Sequence, residues 1–229
     1  MKLERSTISG LALSREQLVE LLEQATGPLV FEACDFSDAN LSRLDLQDAE
    51  FRACAFQDTS LYAARLARTR WHRCRAAKAD FESADLVDAR FENCDLNNST
   101  WRRARMAAVS FSECKLTGAN FEEVGHLGLS FANTRLVGAY LCRLSFKKSQ
   151  LTGLDFQDAD LSGCDFRDVV FEECSLRNAR LVDARFDGAD LRGADIAGVK
   201  LGNAKLFKGA LISHRQAAEL IAELGLLVG

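Results

Sequence analysis

From Phe31 to Leu211, every residue whose number ends in 1 or 6 is large and apolar, with only Ala76 and His126 as exceptions. Leucine and phenylalanine dominate, and Trp71, Trp101, Met106 and Ile196 are the variants. Residues whose numbers end in 4 or 9 follow a second rule. They are Ala, Cys, Thr, Ser, Val or Gly, apart from Leu44, Leu129, Leu144 and Leu154. A period of five matches neither the 3.6 residues of a helical turn nor the two of a strand. The chain must therefore turn a corner every five residues and point the same two positions inward each time. That is a solenoid, in which each coil buries its apolar edge only by stacking on its neighbours.

The coil size follows from a longer period. Cys34, Cys54, Cys74, Cys94 and Cys114 recur every twenty residues, as do Phe31, Phe51, Trp71, Phe91, Phe111 and Phe131. Twenty residues are four pentapeptides, so the coil is expected to be square, with like residues stacked in columns. Coils paired through their backbones sit about 4.8 Å apart, and nine of them would make a rod on the order of 45 Å long. Trp71 is expected to fill the space left by Ala76, one side further on in its coil. The numbering admits no insertion between Phe31 and Leu211.

The unit small–polar–Leu/Phe–polar–polar, as in Ala84-Asp85-Leu86-Val87-Asp88 and Ala189-Asp190-Leu191-Arg192-Gly193, resembles the pentapeptide-repeat family. The resemblance covers most of the chain. It implies an all-β solenoid, the right-handed quadrilateral β-helix of that family, with about nine coils over residues 31–212 and a short helix at either end.

Those helices have their own signals. Ser14-Arg15-Glu16-Gln17 has the spacing of a capping box and opens a helix through Leu18, Leu21 and Leu22 that stops at Gly27-Pro28. Residues 1–30 thus read as a lead-in, with a short strand or extended segment in Ile8–Leu13, followed by a cap over the open end of the first coil. An uncovered end would be an exposed sheet edge. Ser213-His214-Arg215-Gln216 repeats the capping pattern and opens a helix through Leu220, Ile221 and Leu224, with Gly225 as its C-cap. Leu220, Ile221, Leu224, Leu226 and Leu227 leave more apolar surface than one coil end needs, so residues 213–229 are expected to cap the solenoid and to join two copies. The repeat is weakest at Gly125-His126-Leu127-Gly128-Leu129, read as a local distortion or a hinge, with His126 expected to be buried and hydrogen-bonded.

Several function classes find no support in the residues. There is no His-Glu-x-x-His, no phosphate-binding glycine loop, no dinucleotide fingerprint and no nucleophile elbow. His72, His126 and His214 are scattered. Seven of the eight cysteines occupy the small inward position, where a thiol behaves as a small hydrophobe. Cys142 is expected to face outward as the reactive one. No enzyme, cofactor or metal is expected. With a net charge of −4, no long apolar run and no signal-peptide core at Met1–Ser6, the expected location is the cytoplasm. The aspartates before each Leu or Phe are expected to bond backbone amides at the corners.

The outer surface carries the remaining information, and its charge is banded. Acids outnumber bases from Glu32 to Asp58. Arg65, Arg68, Arg70, Arg73, Arg75 and Lys78 then form a basic coil, with Arg102, Arg103 and Arg105 beyond it. From Asp155 to Asp195 the surface turns acidic again through Asp155, Asp158, Asp160, Asp165, Asp168, Asp190 and Asp195. Asp45 and Asp48 lie twenty residues from Arg65 and Arg68, so neutralisation between coils is one reading of the basic coil and contact with a partner is the other.

The Phe- and Cys-rich repeat and the terminal Ala218–Val228 segment are similar to the quinolone-resistance branch, of the Qnr and MfpA kind. That resemblance implies a homodimer joined by its C-terminal helix. It also implies a surface that imitates duplex DNA, binding to DNA gyrase or topoisomerase IV, and protection of that enzyme from poisons. Direct binding of nucleic acid is not expected. The alternative is a scaffolding pentapeptide-repeat protein with another protein partner. Two features depart from the branch: no loop interrupts the repeat, and a uniform DNA mimic would not carry the 65–78 basic coil.

Overall fold

The computed structural model describes residues 6–199 and 205–222. It divides into two compact units, Met1–Phe131 and Ala132–Gly229, each built from the same coil.

The first unit contains β1 (Thr7–Ser9), α1 (Arg15–Gln24), β2 (Val30–Glu32), β3 (Glu50–Arg52), β4 (Arg70–His72), β5 (Arg90–Glu92), β6 (Ser110–Ser112) and β7 (Ser130–Ala132), the last ending across the division. The seven strands form one parallel sheet in sequence order. Its register is the twenty-residue period, Phe31 facing Phe51, Phe51 facing Trp71, Trp71 facing Phe91 and Phe91 facing Phe111. The other three sides of the coil carry single parallel bridges, such as Asp35 with Ala55, Asn40 with Ser60 and Asp45 with Arg65. The solenoid is therefore four-sided, and each backbone group finds its partner one coil away.

Three corners of each coil are closed by a bond from the fourth residue to the first. Ala39 N donates to Phe36 O at 3.1 Å, Leu44 N to Leu41 O at 3.3 Å and Ala49 N to Leu46 O at 3.2 Å. The third residue of each turn is left-handed, with φ of 59° at Asp38, 61° at Arg43 and 63° at Asp48, as in a type II turn. The aspartates help to close these corners. Asp35, Asp80, Asp155 and Asp190 each accept through Oδ1 from the amide two residues on, at 2.9, 2.9, 3.1 and 3.1 Å.

Inside, the large residues stack in columns. Phe91 lies between Trp71 and Phe111, with ring centroids 5.3 and 5.0 Å away, and is fully buried. Ala76 is fully buried too, and Trp71 packs 4.7 Å from Phe56 on the side where Ala76 leaves room. The small inward residues also work as donors. Cys54, Cys74 and Cys94 give their thiols to the carbonyls of Phe31, Phe51 and Trp71 at 3.4, 3.3 and 3.5 Å, and Thr59 gives its hydroxyl to Phe36 O at 2.7 Å.

The lower end of this unit is closed twice. β1 adds a parallel rung below β2, and α1 follows with the capping box at Ser14 and Gln17. Leu18 of α1 is fully buried, and Arg15 Nη1 donates to the carbonyls of Asn40 and Ser42 at 2.7 and 3.0 Å. The helix therefore satisfies orphan carbonyls of the first coil as well as covering its apolar edge. His126 is half-buried rather than buried, with Nδ1 3.2 Å from Val124 O. Leu127 beside it is 85% exposed.

The second unit contains β8 (Gln150–Thr152), β9 (Val170–Glu172), β10 (Cys174–Ser175), β11 (Ala194–Asp195) and α2 (His214–Ala222). β8 pairs with β9 and β10 with β11, both parallel. Phe146, Phe166, Phe186 and Phe207 form one column, with centroid separations of 5.1, 4.9 and 4.8 Å. The last member corrects the expectation of an uninterrupted register to Leu211. Phe166 N bonds Arg185 O nineteen residues on, whereas Phe186 N bonds Leu206 O and Leu191 N bonds Leu211 O, twenty residues on. The last turn holds one extra residue, so Phe207 stacks on Phe186 and Leu211 is left 49% exposed. A whole ring stacked on a ring outweighs preservation of the spacing.

α2 begins as expected, with Ser213 N bonded to Gln216 Oε1 at 2.7 Å and Gln216 N to Ser213 Oγ at 3.2 Å. Gln216, not a leucine, is its buried residue. Its Nε2 donates to Leu191 O and Ala194 O at 2.7 Å each.

Candidate partner-binding surfaces

The basic coil does not make one patch, because its residues lie on three sides of the square. Arg65 and Arg68 share a side with Asp45 and Asp48. Arg65 Nη1 meets Asp45 Oδ2 at 2.8 Å, and Arg68 grips Asp48 through Nε and Nη2 at 2.6 and 2.7 Å. That fork holds the Asp48 carboxyl below its ordinary pKa. Lys78 lies 3.7 Å from Asp58. Arg105 repeats the ladder with Asp85 at 2.8 Å. On another side Arg102 lies between Glu82 and Glu122, at 4.0 and 3.0 Å, and Arg103 also pairs with Glu82. Neutralisation between coils therefore accounts for Arg65, Arg68 and Lys78. Arg70, Arg73 and Arg75 have no ion pair or side-chain hydrogen bond among the described residues.

Arg90 has none either, and it lies in register with Arg70 on the next strand. The sequence reading passed over it, although its place twenty residues after Arg70 was the available signal.

The acidic stretch is more nearly balanced than its composition suggests. Between Asp155 and Asp195 there are eleven acids and five arginines, and all five arginines are paired. Arg167 binds Asp165 at 2.6 Å, Arg192 binds Asp190 at 2.6 Å, Arg177 binds Asp195 at 2.9 Å, Arg185 binds Asp187 at 3.3 Å and Arg180 lies 3.9 Å from Asp160. The carboxyls of Asp165 and Asp190 are held low chiefly by Arg167 and Arg192, and that of Asp195 by the Ala197 amide with Arg177. Burial raises the Asp160 pKa, but hydrogen bonds from Ser162 outweigh it and the net shift is downward. Asp155, Asp158, Asp168, Glu172, Glu173 and Asp183 are in no ion pair among the described residues.

On α2, Leu220 is half-buried and Ile221 is 38% exposed. Leu224, Leu226 and Leu227 lie outside the described residues. Cys142 is half-buried, and burial raises its thiol pKa, which keeps it away from the thiolate form a reactive cysteine needs. The other seven cysteines are buried. No group of three or more His, Cys, Asp or Glu among the described residues is arranged to hold a metal. No described helix is long and apolar enough to cross a membrane.

A family model of the pentapeptide repeat region matches residues 29–101, 104–178 and 139–215, and a second, of eight pentapeptide repeats, matches 84–122. Among solved structures, the trypsin-treated form of QnrB1, a plasmid-mediated fluoroquinolone resistance protein, is 20% identical over 86% of this chain and 99% of its own, with a TM-score of 0.66. Full-length QnrB1 gives 20%, 96%, 100% and 0.57 in the same order. HetL, a pentapeptide repeat protein involved in heterocyst differentiation regulation from the cyanobacterium Nostoc, is 22% identical over 85% of this chain and 88% of its own, with a TM-score of 0.45. No curated protein matches by sequence.

Proposed function

The chain belongs to the pentapeptide-repeat family, and on that premise we propose that it is a non-catalytic binding protein that protects DNA gyrase or topoisomerase IV from poisons trapping cleaved DNA. The observation that carries this reading is the excess of negative charge between Asp155 and Asp195. After the five arginines of that stretch pair with carboxylates, Asp155, Asp158, Asp168, Glu172, Glu173 and Asp183 are left in no ion pair among the described residues. Carboxylates held on a rigid coil can take the places of phosphates in a cationic groove built for DNA. Support for the identity of the partner comes from the likeness of fold to QnrB1, which spans nearly all of that protein. The protein acts in the cytoplasm, beside the DNA, as a homodimer joined through Leu220, Ile221 and the apolar residues that follow α2.

The test is a gyrase and topoisomerase IV supercoiling and cleavage assay in a fluoroquinolone, with this protein titrated in. Restored supercoiling and fewer trapped breaks are expected, and Asp155→Lys with Asp158→Lys should weaken both. No effect at any ratio on either enzyme would overturn the proposal. A light-scattering mass of one chain at micromolar concentration would overturn the dimer.

A second reading, a scaffold for some other protein, is favoured by the ladder of cancelled charges in the first unit, from Asp45–Arg65 to Asp85–Arg105. Recovery of protein partners by the intact chain, together with a silent topoisomerase assay, would select it.

A further inference from the structure

Two charge columns in the first unit alternate in sign from coil to coil: Asp45, Arg65, Asp85, Arg105 in one and Glu82, Arg102, Glu122 in another. Arg70 and Arg90 break this rule. They are in-register partners on β4 and β5, both exposed, and parallel strands place such residues about 4.8 Å apart on the same face. Like charges facing each other in this way destabilise a sheet, and neither arginine is in an ion pair among the described residues, although Glu50 lies in register with Arg70. The nearest acid in their column, Glu50, is engaged by Arg52 at 2.8 Å. The scaffold beneath is rigid, because Trp71 is buried between Phe51 and Phe91, with centroids 4.3 and 5.3 Å away.

Two clefts flank the pair, and both are lined by Glu50, Arg70 and Arg90. One, of about 480 Å³, also includes Pro28, Arg68 and Asp88. The other, of about 180 Å³, also includes His72 and Glu92. Arg68 is consumed by Asp48, Arg52, which also lines the smaller cleft, by Glu50, and His72 lies 3.6 Å from Glu92, so Arg70 and Arg90 are the described cations of these clefts left in no ion pair.

We infer that Arg70 and Arg90 together form a binding site for a compact phosphate dianion, either inorganic phosphate or a phosphate monoester. Two guanidinium forks require two negative charges in a small space, and a phosphate monoester carries about −1.5 to −2 at pH 7 on three acceptor oxygens. One carboxylate would neutralise only one fork. Planar guanidiniums suit bidentate contact with such an anion. Asp48, Glu50, Asp88 and Glu92 also line the clefts and oppose an extended polyanion more than a compact one, so a nucleic acid backbone, with a charge every few ångströms along its length, does not suit the site. Binding relieves the repulsion between the two arginines and should stabilise the fold through linkage.

The experiment measures the thermal midpoint and the binding isotherm of the intact chain with inorganic phosphate and with phenyl phosphate, against sodium chloride at equal ionic strength. Wild type is compared with Arg70→Gln, Arg90→Gln and, as a control elsewhere, Arg135→Gln. A saturable midpoint rise with one phosphate bound per chain is expected in wild type and Arg135→Gln. Either site variant should weaken binding at least about tenfold, the scale of a lost hydrogen bond to a charged group. Without phosphate, both site variants should be at least as stable as wild type, which shows that they fold. Affinity for phenyl phosphate should fall as the pH drops below about 6, where a phosphate monoester loses its second charge, and that for inorganic phosphate should begin to fall at a higher pH. Binding of phenyl phosphate as tight as that of the free ion assigns the site to esterified phosphate, and exclusion of the ester assigns it to the ion. An equal midpoint rise in all four proteins would be the general effect of an excluded salt and would overturn the proposal. So would no rise in any of them, or a rise with an Asp-Asp dipeptide but not with phosphate.

Discussion

Trp101 is fully buried, and its indole nitrogen donates to Ser99 Oγ at 2.8 Å while that hydroxyl donates to Leu96 O at 2.7 Å. Trp71 uses Thr69 and Leu66 in the same way, at 3.0 and 2.7 Å. A tryptophan at an inward position therefore needs a hydroxyl two residues earlier, where alanine or cysteine would serve a phenylalanine. Ser99→Ala should cost about 1–3 kcal/mol in urea unfolding, because it strands the indole donor in the core. Ser99→Thr should restore most of that. At Gly193 the constraint is space: a Cβ would lie 2.3 Å from Phe171 O, a backbone atom that cannot swing aside. Gly193→Ala should destabilise the fold by about 1–3 kcal/mol, and hydrogen exchange should report the loss around β9 to β11. The inward pattern was legible from the numbering, as was the role of aspartate at the corners. The demand of each tryptophan for a hydroxyl was not, since it arises from burial of an indole, not from the repeat.

At the scale of elements, the two helices do the same task with different residues. A solenoid end exposes carbonyls as well as apolar edge, and a cap must satisfy both. In α1 an arginine reaches the carbonyls of the first coil and Leu18 fills the edge. In α2 the whole of the polar work falls on Gln216, whose amide meets two carbonyls while its backbone amide and Oε1 complete the capping box. Gln216→Leu should therefore cost more than the loss of the cap at Ser213→Ala, which is worth about 1 kcal/mol. The expected figure for Gln216→Leu is about 2–3 kcal/mol, from two abandoned buried acceptors. Urea midpoints of the two variants, compared side by side, check the order. Both capping boxes were read correctly from Ser-x-x-Gln, a local pattern. That the glutamine is the buried residue of α2 depends on the coil it lands on.

For the molecule as a whole, pH should erode stability from both sides. Asp48, Asp165, Asp190 and Asp195 have depressed pKa values, so near pH 4 the unfolded chain binds more protons than the native one. Their contribution is complete above the unfolded carboxylate range and is lost as pH falls below about 4. The buried thiols of Cys164 and Cys174 work in the opposite sense. Burial pushes the Cys164 pKa up to about 12 and also raises that of Cys174. The native state keeps these protons where the unfolded chain has released them, so stability present below the unfolded thiol value of about 8.5 drains away as pH rises toward 12. Urea midpoints should peak between about pH 5 and 8 and fall on both sides, and replacing Cys164 by Ala should flatten the alkaline limb.

The sequence by itself determined the coil: its four sides, its inward columns, its capped ends and the placing of seven thiols indoors. Each of these depends on spacing along the chain, and a period of five leaves little choice. Which surface charges survive was decided only in the tertiary structure. The ladder of twenty holds for Arg65, Arg68 and Arg105. Arg167 and Arg192, however, turn back to the aspartates two residues before them, and Arg177 reaches Asp195, eighteen residues on. A guanidinium on a flexible stem selects among several carboxylates at similar range, and the coils stacked beside it set that range. The extra residue that brings Phe207 onto Phe186 was settled in the same way, by a ring seeking a ring across coils. The unrelieved pair of Arg70 and Arg90 likewise exists only because two strands twenty residues apart lie side by side.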